Sequence, residues 1–181
     1  MLNPITKDAI SAYRRLIVVA LVVFGLDQLS KLWIVKKLPF GAYYAGDSIT
    51  IIDNFFYLVH IGNKGAAWGI LEGQGTLLAL IAVAALFAVF YFRDVLELRR
   101  PSIQLIFGSI IGGVLGNLLD RIVRGHVVDF FDFHLPFHIP VLLENGRYPA
   151  FNIADSGIVI GVFAYLLMSY SKPSAASEKT N

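Results

Sequence analysis

The chain has no cysteine and little charge. With no thiol among its 181 residues, disulfides, thiolate metal sites and cysteine nucleophiles are excluded. Charged residues make up 15% of the sequence and hydrophobic residues 56%. A soluble domain carries about 25% charged and roughly 45–50% apolar residues, so the composition points to an integral membrane protein, and the length suits a single domain over 1–181. The formal net charge of +2 gives no reason to invoke nucleic acid as a partner. Also missing are a Gly-x-Ser-x-Gly elbow, a phosphate-cradling P-loop and a Gly-x-Gly-x-x-Gly fingerprint. Only four histidines occur, His60, His126, His134 and His138. The last two have the spacing of helical metal ligands, but Pro136 between them disfavours a helix and no HExxH-type glutamate accompanies them. These residues do not make a convincing metal site.

What is present is long apolar sequence. A membrane-crossing helix needs about 20 mostly apolar residues, and four stretches qualify: 16–35, 73–92, 101–119 and 150–171. The second and third are uncharged, the fourth carries only Asp155, and the first is interrupted by Asp27, Gln28 and Lys31. The expected fold is an all-α membrane core, a bundle of four transmembrane helices. Arg14-Arg15 before an apolar run imitates a secretory signal, yet Asp27-Gln28-Leu29-Ser30-Lys31 follows instead of a small-residue cleavage site. The run is read as a retained first helix. Arg14, Arg15, Arg93, Arg99 and Arg100 abut the spans on one side, and the positive-inside bias puts both termini in the cytoplasm. The tail 172–181 is expected to be a disordered cytoplasmic segment.

The external segments have patterns of their own. Ser48-Ile49-Thr50-Ile51-Ile52 and Phe55-Phe56-Tyr57-Leu58-Val59-His60 flank the turn pair Asp53-Asn54, which predicts a short β-hairpin cradle at the outer surface. The aromatic, proline-punctuated stretch 131–147 reads as a second, interfacial flap. In the third span Gly108, Gly112 and Gly116 recur at four-residue spacing beside Ser109 and Gly113, the pattern of close helix–helix packing in lipid.

Polar residues gather at one end of every span: Asp27, Gln28, Ser30 and Lys31; Asn63 and Lys64; Asn117, Asp120 and Arg121; Asn152 and Asp155. Four helices offering polar groups at one depth suggest one site. Asp27 and Lys31, four apart on a helix, can pair on one face. Arg121 has a planar donor fork that suits a carboxylate or a substrate carbonyl, and Asp120 is as well explained by structural pairing. Asp129, in Val127-Val128-Asp129-Phe130, and Asp155, at the head of the last span, are costly at membrane depth and so read as functional. Two carboxylates brought together share a proton, the working unit of an aspartyl hydrolase. Helix capping remains open for Asp155, and a structural or ion-conducting role remains open for both.

Five motifs carry a resemblance: Asp27-Gln28-Leu29-Ser30-Lys31, Asn63-Lys64-Gly65-Ala66-Ala67-Trp68-Gly69, Gly116-Asn117-Leu118-Leu119-Asp120-Arg121, Val127-Val128-Asp129-Phe130 and Phe151-Asn152-Ile153-Ala154-Asp155-Ser156. In this order, on four spans, they resemble the bacterial lipoprotein signal peptidases (type II signal peptidases). The resemblance implies an aspartic endopeptidase of the bacterial inner membrane that cuts diacylglyceryl-modified prolipoproteins just before the lipidated cysteine. It implies Asp129 and Asp155 as the catalytic dyad at the outer face, with Asn63, Asn117, Arg121 and Asn152 lining the site and Asp27, Lys31 and Asp120 in support. The resemblance also implies no metal and no organic cofactor. Membrane lipid is an implied partner, and a monomer suffices because one chain carries both aspartates. The interval between Asp129 and Asp155 is longer than the family pattern implies, with the excess placed in 133–148. Two rival readings stand beside this one. An ion-coupled transporter relaying protons through Asp27, Asp129 and Asp155 would scatter polar groups through the bundle depth, which the featureless second span does not do. A noncatalytic scaffold explains the glycines but not the two carboxylates.

Overall fold

The computed structural model describes residues 11–43, 46–66, 70–137, 139, 143 and 146–170. His138, Trp68 and the 172–181 tail, for which the sequence raised expectations, lie outside the described residues. In chain order the elements are helix α1 (Arg14–Lys37), strands β1 (Ile49–Ile52) and β2 (Phe56–Asn63), helices α2 (Gly75–Tyr91) and α3 (Pro101–Arg124), strand β3 (Val127–Phe133) and helix α4 (Ile153–Tyr170). Three of these, α1, α3 and α4, are long and apolar enough to cross a membrane, and α2 is an apolar helix of 17 residues. At about 1.5 Å per residue, α2 is a few ångströms short of the roughly 30 Å hydrocarbon thickness.

Helix α3 is the axis of the bundle, with α1 and α4 packed along it and α2 laid against it with no buried residue of its own. Its glycines explain the close approach. A Cβ added at Gly108 would lie 2.8 Å from the Leu16 carbonyl oxygen and from Val19, and one at Gly112 only 2.6 Å from the Ala20 carbonyl oxygen, both on α1. Gly113 faces the backbone of Ala154 on α4, and Gly116 faces the carboxylate of Asp27. The helix runs on past the expected end at residue 119, through Asp120, Arg121 and Arg124, to Gly125. Gly125 terminates it in the left-handed conformation, with φ at 73°, a backbone shape that glycine adopts without penalty.

Outside the bundle, the three strands form an antiparallel sheet in the order β1-β2-β3. The hairpin expected around Asp53-Asn54 is present, and Asn54 takes the left-handed turn conformation, φ 58°, which asparagine tolerates. The third strand was not anticipated: Val127–Phe133 was read as a carboxylate motif leading into a flap. Val127 pairs with Asn63 and Asp129 with Ile61, so the sheet sets the Asn63 and Asp129 motifs side by side. Backbone bridging between Phe131 and Phe151 then returns the chain to the head of α4. The last span begins three residues later than expected, at Ile153 rather than 150, because Asn152 caps it.

Replacing Gly112 by Ala forces a methyl group against the α1 backbone, and overpacking of this kind costs about 1–3 kcal/mol. The expected outcome is a lower midpoint in thermal unfolding of the detergent-solubilised protein, whereas Gly25→Ala, where an added Cβ meets nothing within 4 Å, is expected to leave the midpoint unchanged or raise it slightly.

Candidate active site

The site is built outward from one buried cation. Lys31 is 0% exposed, and an ammonium offers three donors. All three are used: Nζ lies 2.8 Å from Asp27, 2.9 Å from Asp120 and 2.9 Å from Oδ1 of Asn117. Asp27 and Asp120 are also fully buried, and each carboxylate keeps a second task. Asp27 accepts the backbone N–H of Ala154 at 2.9 Å, in the first turn of α4, and Asp120 accepts that of Val128 at 3.1 Å, at the start of β3. Asp120 also pairs with Arg124, and Gln28 donates to Asp27 at 3.0 Å and to the Gly116 carbonyl at 3.2 Å. The cluster therefore ties α1 to α3, and both to the segments that carry Asp129 and Asp155.

Three asparagines pass this order on to the two carboxylates. The orientation of each amide is fixed by a partner that can only donate. Asn117 turns its oxygen to Lys31, Asn63 turns its oxygen to the Gly65 N–H at 2.9 Å, and Asn152 turns its oxygen to the Asp155 N–H at 2.9 Å. Each NH2 group must then face a carboxylate. Asn117 donates to Asp155 at 2.7 Å, while Asn63 and Asn152 donate to the two oxygens of Asp129 at 2.9 and 2.7 Å.

Asn152 and Asp155 also form a reciprocal cap. The Asn152 side chain takes the Asp155 N–H, and the Asp155 carboxylate takes the Asn152 N–H at 3.3 Å, the capping-box arrangement. The capping role left open for Asp155 is thus one half of a motif shared with Asn152, and it leaves the other oxygen of Asp155 to Asn117. Asp129 and Asp155 line the same cleft of about 830 Å3, together with Asn63, Asn117 and Arg121. Asp129 is 2% exposed. Burial first, and then the neighbouring charge of Asp155, push its carboxyl up to about 7, against the two amide hydrogen bonds that favour ionisation. An arrangement in which one proton is held by a carboxylate pair at neutral pH can run acid–base hydrolysis.

Arg121 reaches the cleft from α3, donating to the Gly65 carbonyl at 3.0 Å and to the Asn117 carbonyl at 3.3 Å. Its Nε is buried without a hydrogen-bond partner. All nine residues expected at the site are thereby placed: five, Asn63, Asn117, Arg121, Asp129 and Asp155, line the cleft, and Asn152, Asp27, Lys31 and Asp120 stand behind them. Among the described residues no group of three His, Cys, Asp or Glu converges as metal ligands do; His134 donates its contact to Asp132 at 2.9 Å. Sequence reasoning missed the aromatic walls of the cleft, Phe40, Tyr43, Tyr148 and Phe151. Their scatter along the chain offers no spacing signal; only the Phe131–Phe151 bridge and the sheet bring them together.

Comparison with known proteins identifies the family. The family model described as Signal peptidase (SPase) II matches residues 19–171. The chain is 38% identical over 157 residues to a lipoprotein signal peptidase of Bacillus subtilis, covering 85% of this chain and 94% of that one. Two solved structures, each described as a bacterial membrane enzyme determined by the in meso method, are similar throughout. The first, at 2.3 Å, has a TM-score of 0.73 at 31% identity over 92% of this chain and 93% of its own, and the second, at 1.9 Å, a TM-score of 0.68 at 32% identity over 88% and 94%.

Lys31→Met leaves two buried carboxylates facing each other without their cation, a loss of about 3–5 kcal/mol. The double substitution Lys31→Met with Asp27→Asn removes one of those charges and is expected to unfold at a higher temperature than Lys31→Met alone. A double variant less stable than the single one would show that the cluster does not act through charge balance.

Proposed function

Because this chain belongs to the signal peptidase II family, we propose that it removes signal peptides from lipoprotein precursors through a water-activating pair formed by Asp129 and Asp155. The observation that carries this reading is the convergence of both carboxylates, bridged by Asn152, in one cleft at the head of the bundle. One carboxylate, ionised, takes a proton from water as the water oxygen bonds to the scissile carbonyl carbon. The other, protonated, gives its proton to the carbonyl oxygen. Collapse of that adduct breaks the C–N bond, and the pair returns a proton to the leaving amine. Arg121 lines the cleft beside the carboxylates and its guanidinium donates to a substrate carbonyl in this reading, while Asn63 and Asn117 hold the carboxylates in register. No covalent acyl-enzyme is needed.

The substrate is a prolipoprotein whose cysteine already carries diacylglycerol, cut just before that cysteine. The cleft suits it, since apolar side chains of α4, Ile158 and Val159, share its lining with the polar end. In this reading all four helices cross the bacterial cytoplasmic membrane, both termini are cytoplasmic and the sheet lies on the outer face, where water reaches the scissile bond. Arg14, Arg15, Arg93, Arg99 and Arg100 at one end of the helices support that orientation. A single chain suffices for activity.

Two outcomes are expected from a gel-shift cleavage assay with the purified protein. The diacylglyceryl-modified precursor is cut and the unmodified precursor is not; Asp129→Asn and Asp155→Asn each abolish turnover while the protein stays folded. Normal turnover by either variant removes the dyad from the mechanism. The pH dependence follows from the sign of the Asp129 shift. The shared proton is present below pH about 7 and is stripped as pH rises through that value, so kcat/KM falls on the alkaline side. A rate that instead climbs steadily from pH 6 to 9 would contradict a proton-sharing pair.

A further inference from the structure

A second buried ion pair stands on the opposite side of the sheet strand from Asp129, and the proposed reaction does not use it. Asp132 is 1% exposed and alternates with Asp129 and Phe131 along β3, so it faces away from the dyad. Arg147 grips it with both edges of its fork, Nε at 2.9 Å from one oxygen and a terminal nitrogen at 2.6 Å from the other. His134 reaches the second oxygen at 2.9 Å, and His134 and Arg147 bridge through their backbones. The guanidinium that grips Asp132 also lies flat over Tyr43, its carbon 3.3 Å from the ring centroid, and touches the Tyr43 carbonyl at 3.5 Å. Tyr43 precedes the sheet and Tyr148 follows Arg147 directly; both rings line the cleft. One side chain thus joins β3, the segment before β1 and the segment leading to α4.

We propose that Arg147 is a positioning residue that sets Tyr43 and Tyr148 as the wall reading the peptide on the mature side of the scissile bond. This rests on the peptidase reading above. The wall belongs to the peptide and not to the acyl chains because of its level. Tyr148, Pro149 and Ala150 come just before the first turn of α4, and Tyr43 is held to Arg147 beside them, whereas Ile158 lies six residues past the Asn152 cap, about 9 Å further along the helix. Arginine suits the task and lysine does not, since only a planar fork can hold a carboxylate with two bonds while stacking on a ring.

The test is steady-state cleavage of a lipidated precursor by Arg147→Ala, Arg147→Lys and Tyr43→Ala. Each is expected to raise KM about tenfold with kcat within about twofold, and the Arg147→Ala/Tyr43→Ala double variant is expected to be no worse than either single one. Shortening the mature-side peptide to the lipidated cysteine should erase the difference between wild type and variants. Shortening the acyl chains should change KM by the same factor in all of them. Tyr43→Ala leaves the Asp132–Arg147 pair intact, so the idea remains testable if Arg147→Ala does not fold. Full rescue by lysine, additive single effects, or a difference that survives peptide truncation would overturn the assignment. Those results concern the wall alone. A wild-type protein that leaves the lipidated precursor uncut would overturn the peptidase reading itself.

Discussion

The buried ammonium of Lys31 is the constraint on which the rest of the site depends. A lysine removed from water must satisfy three donors and its charge, and here two carboxylates and one amide do so. Those carboxylates then have fixed remaining lone pairs, and each turns one to a backbone N–H at the start of the element bearing a proposed catalytic aspartate. Asp27 holds the first turn of α4, and Asp120 holds the start of β3. Charge compensation inside the bundle thereby becomes positional information at its mouth. A buried ion pair on its own is weak support for stability; its contribution here is that Lys31, Asp27 and Asp120 are satisfied together in one packing of α1, α3 and the segments that follow.

Asparagine transmits that information to the dyad without adding charge. Each of Asn63, Asn117 and Asn152 has its oxygen committed to a donor, so its NH2 group is directed to a carboxylate as a matter of inventory rather than choice. Neutral donors hold both carboxylates firmly, and at Asp129 burial and the neighbouring Asp155 charge outweigh the two amide hydrogen bonds, so its carboxyl is pushed up to about 7. A lysine or arginine in direct contact with Asp129 would have ionised it and ended proton sharing.

The stretch between the two aspartates is closed back on the sheet at both of its ends. Phe131 and Phe151 are bridged, and outside that bridge His134 pairs with Arg147 while Arg147 grips Asp132. The chain thus leaves the sheet and returns to it through two successive closures. These closures, together with the Asn152 amide on Asp129 at 2.7 Å, tie β3 to the head of α4. Stacking of Phe133 on Phe56 at 4.5 Å and on Phe151 at 5.8 Å packs the same junction from the apolar side.

Much of this was legible in the sequence, and the legible part has a common physical cause. Long apolar helices need long apolar runs, so all four helices were visible, and Asp27, Lys31 and Asp155 stood out as charges inside such runs, with Asp120 and Asp129 in the segment between the last two runs. The hairpin at Asp53-Asn54 was visible through its turn residues, and the glycines of α3 through their spacing. What the one-dimensional pattern left open was set by contacts between distant segments. The strand nature of 127–133 depends on pairing with β2, since a short β-branched run is stable as a strand only beside a partner. The division of labour between Asn152 and Asp155 depends on a reciprocal cap that needs both backbone and side chains in place. The aromatic wall and its Arg147 clamp come from segments with no shared spacing, so only the closed sheet could reveal them. The sequence by itself determined which groups the membrane would force into contact; the tertiary structure decided which hydrogen bonds each would make, because a buried donor's partner is chosen by proximity across the fold and not by distance along the chain.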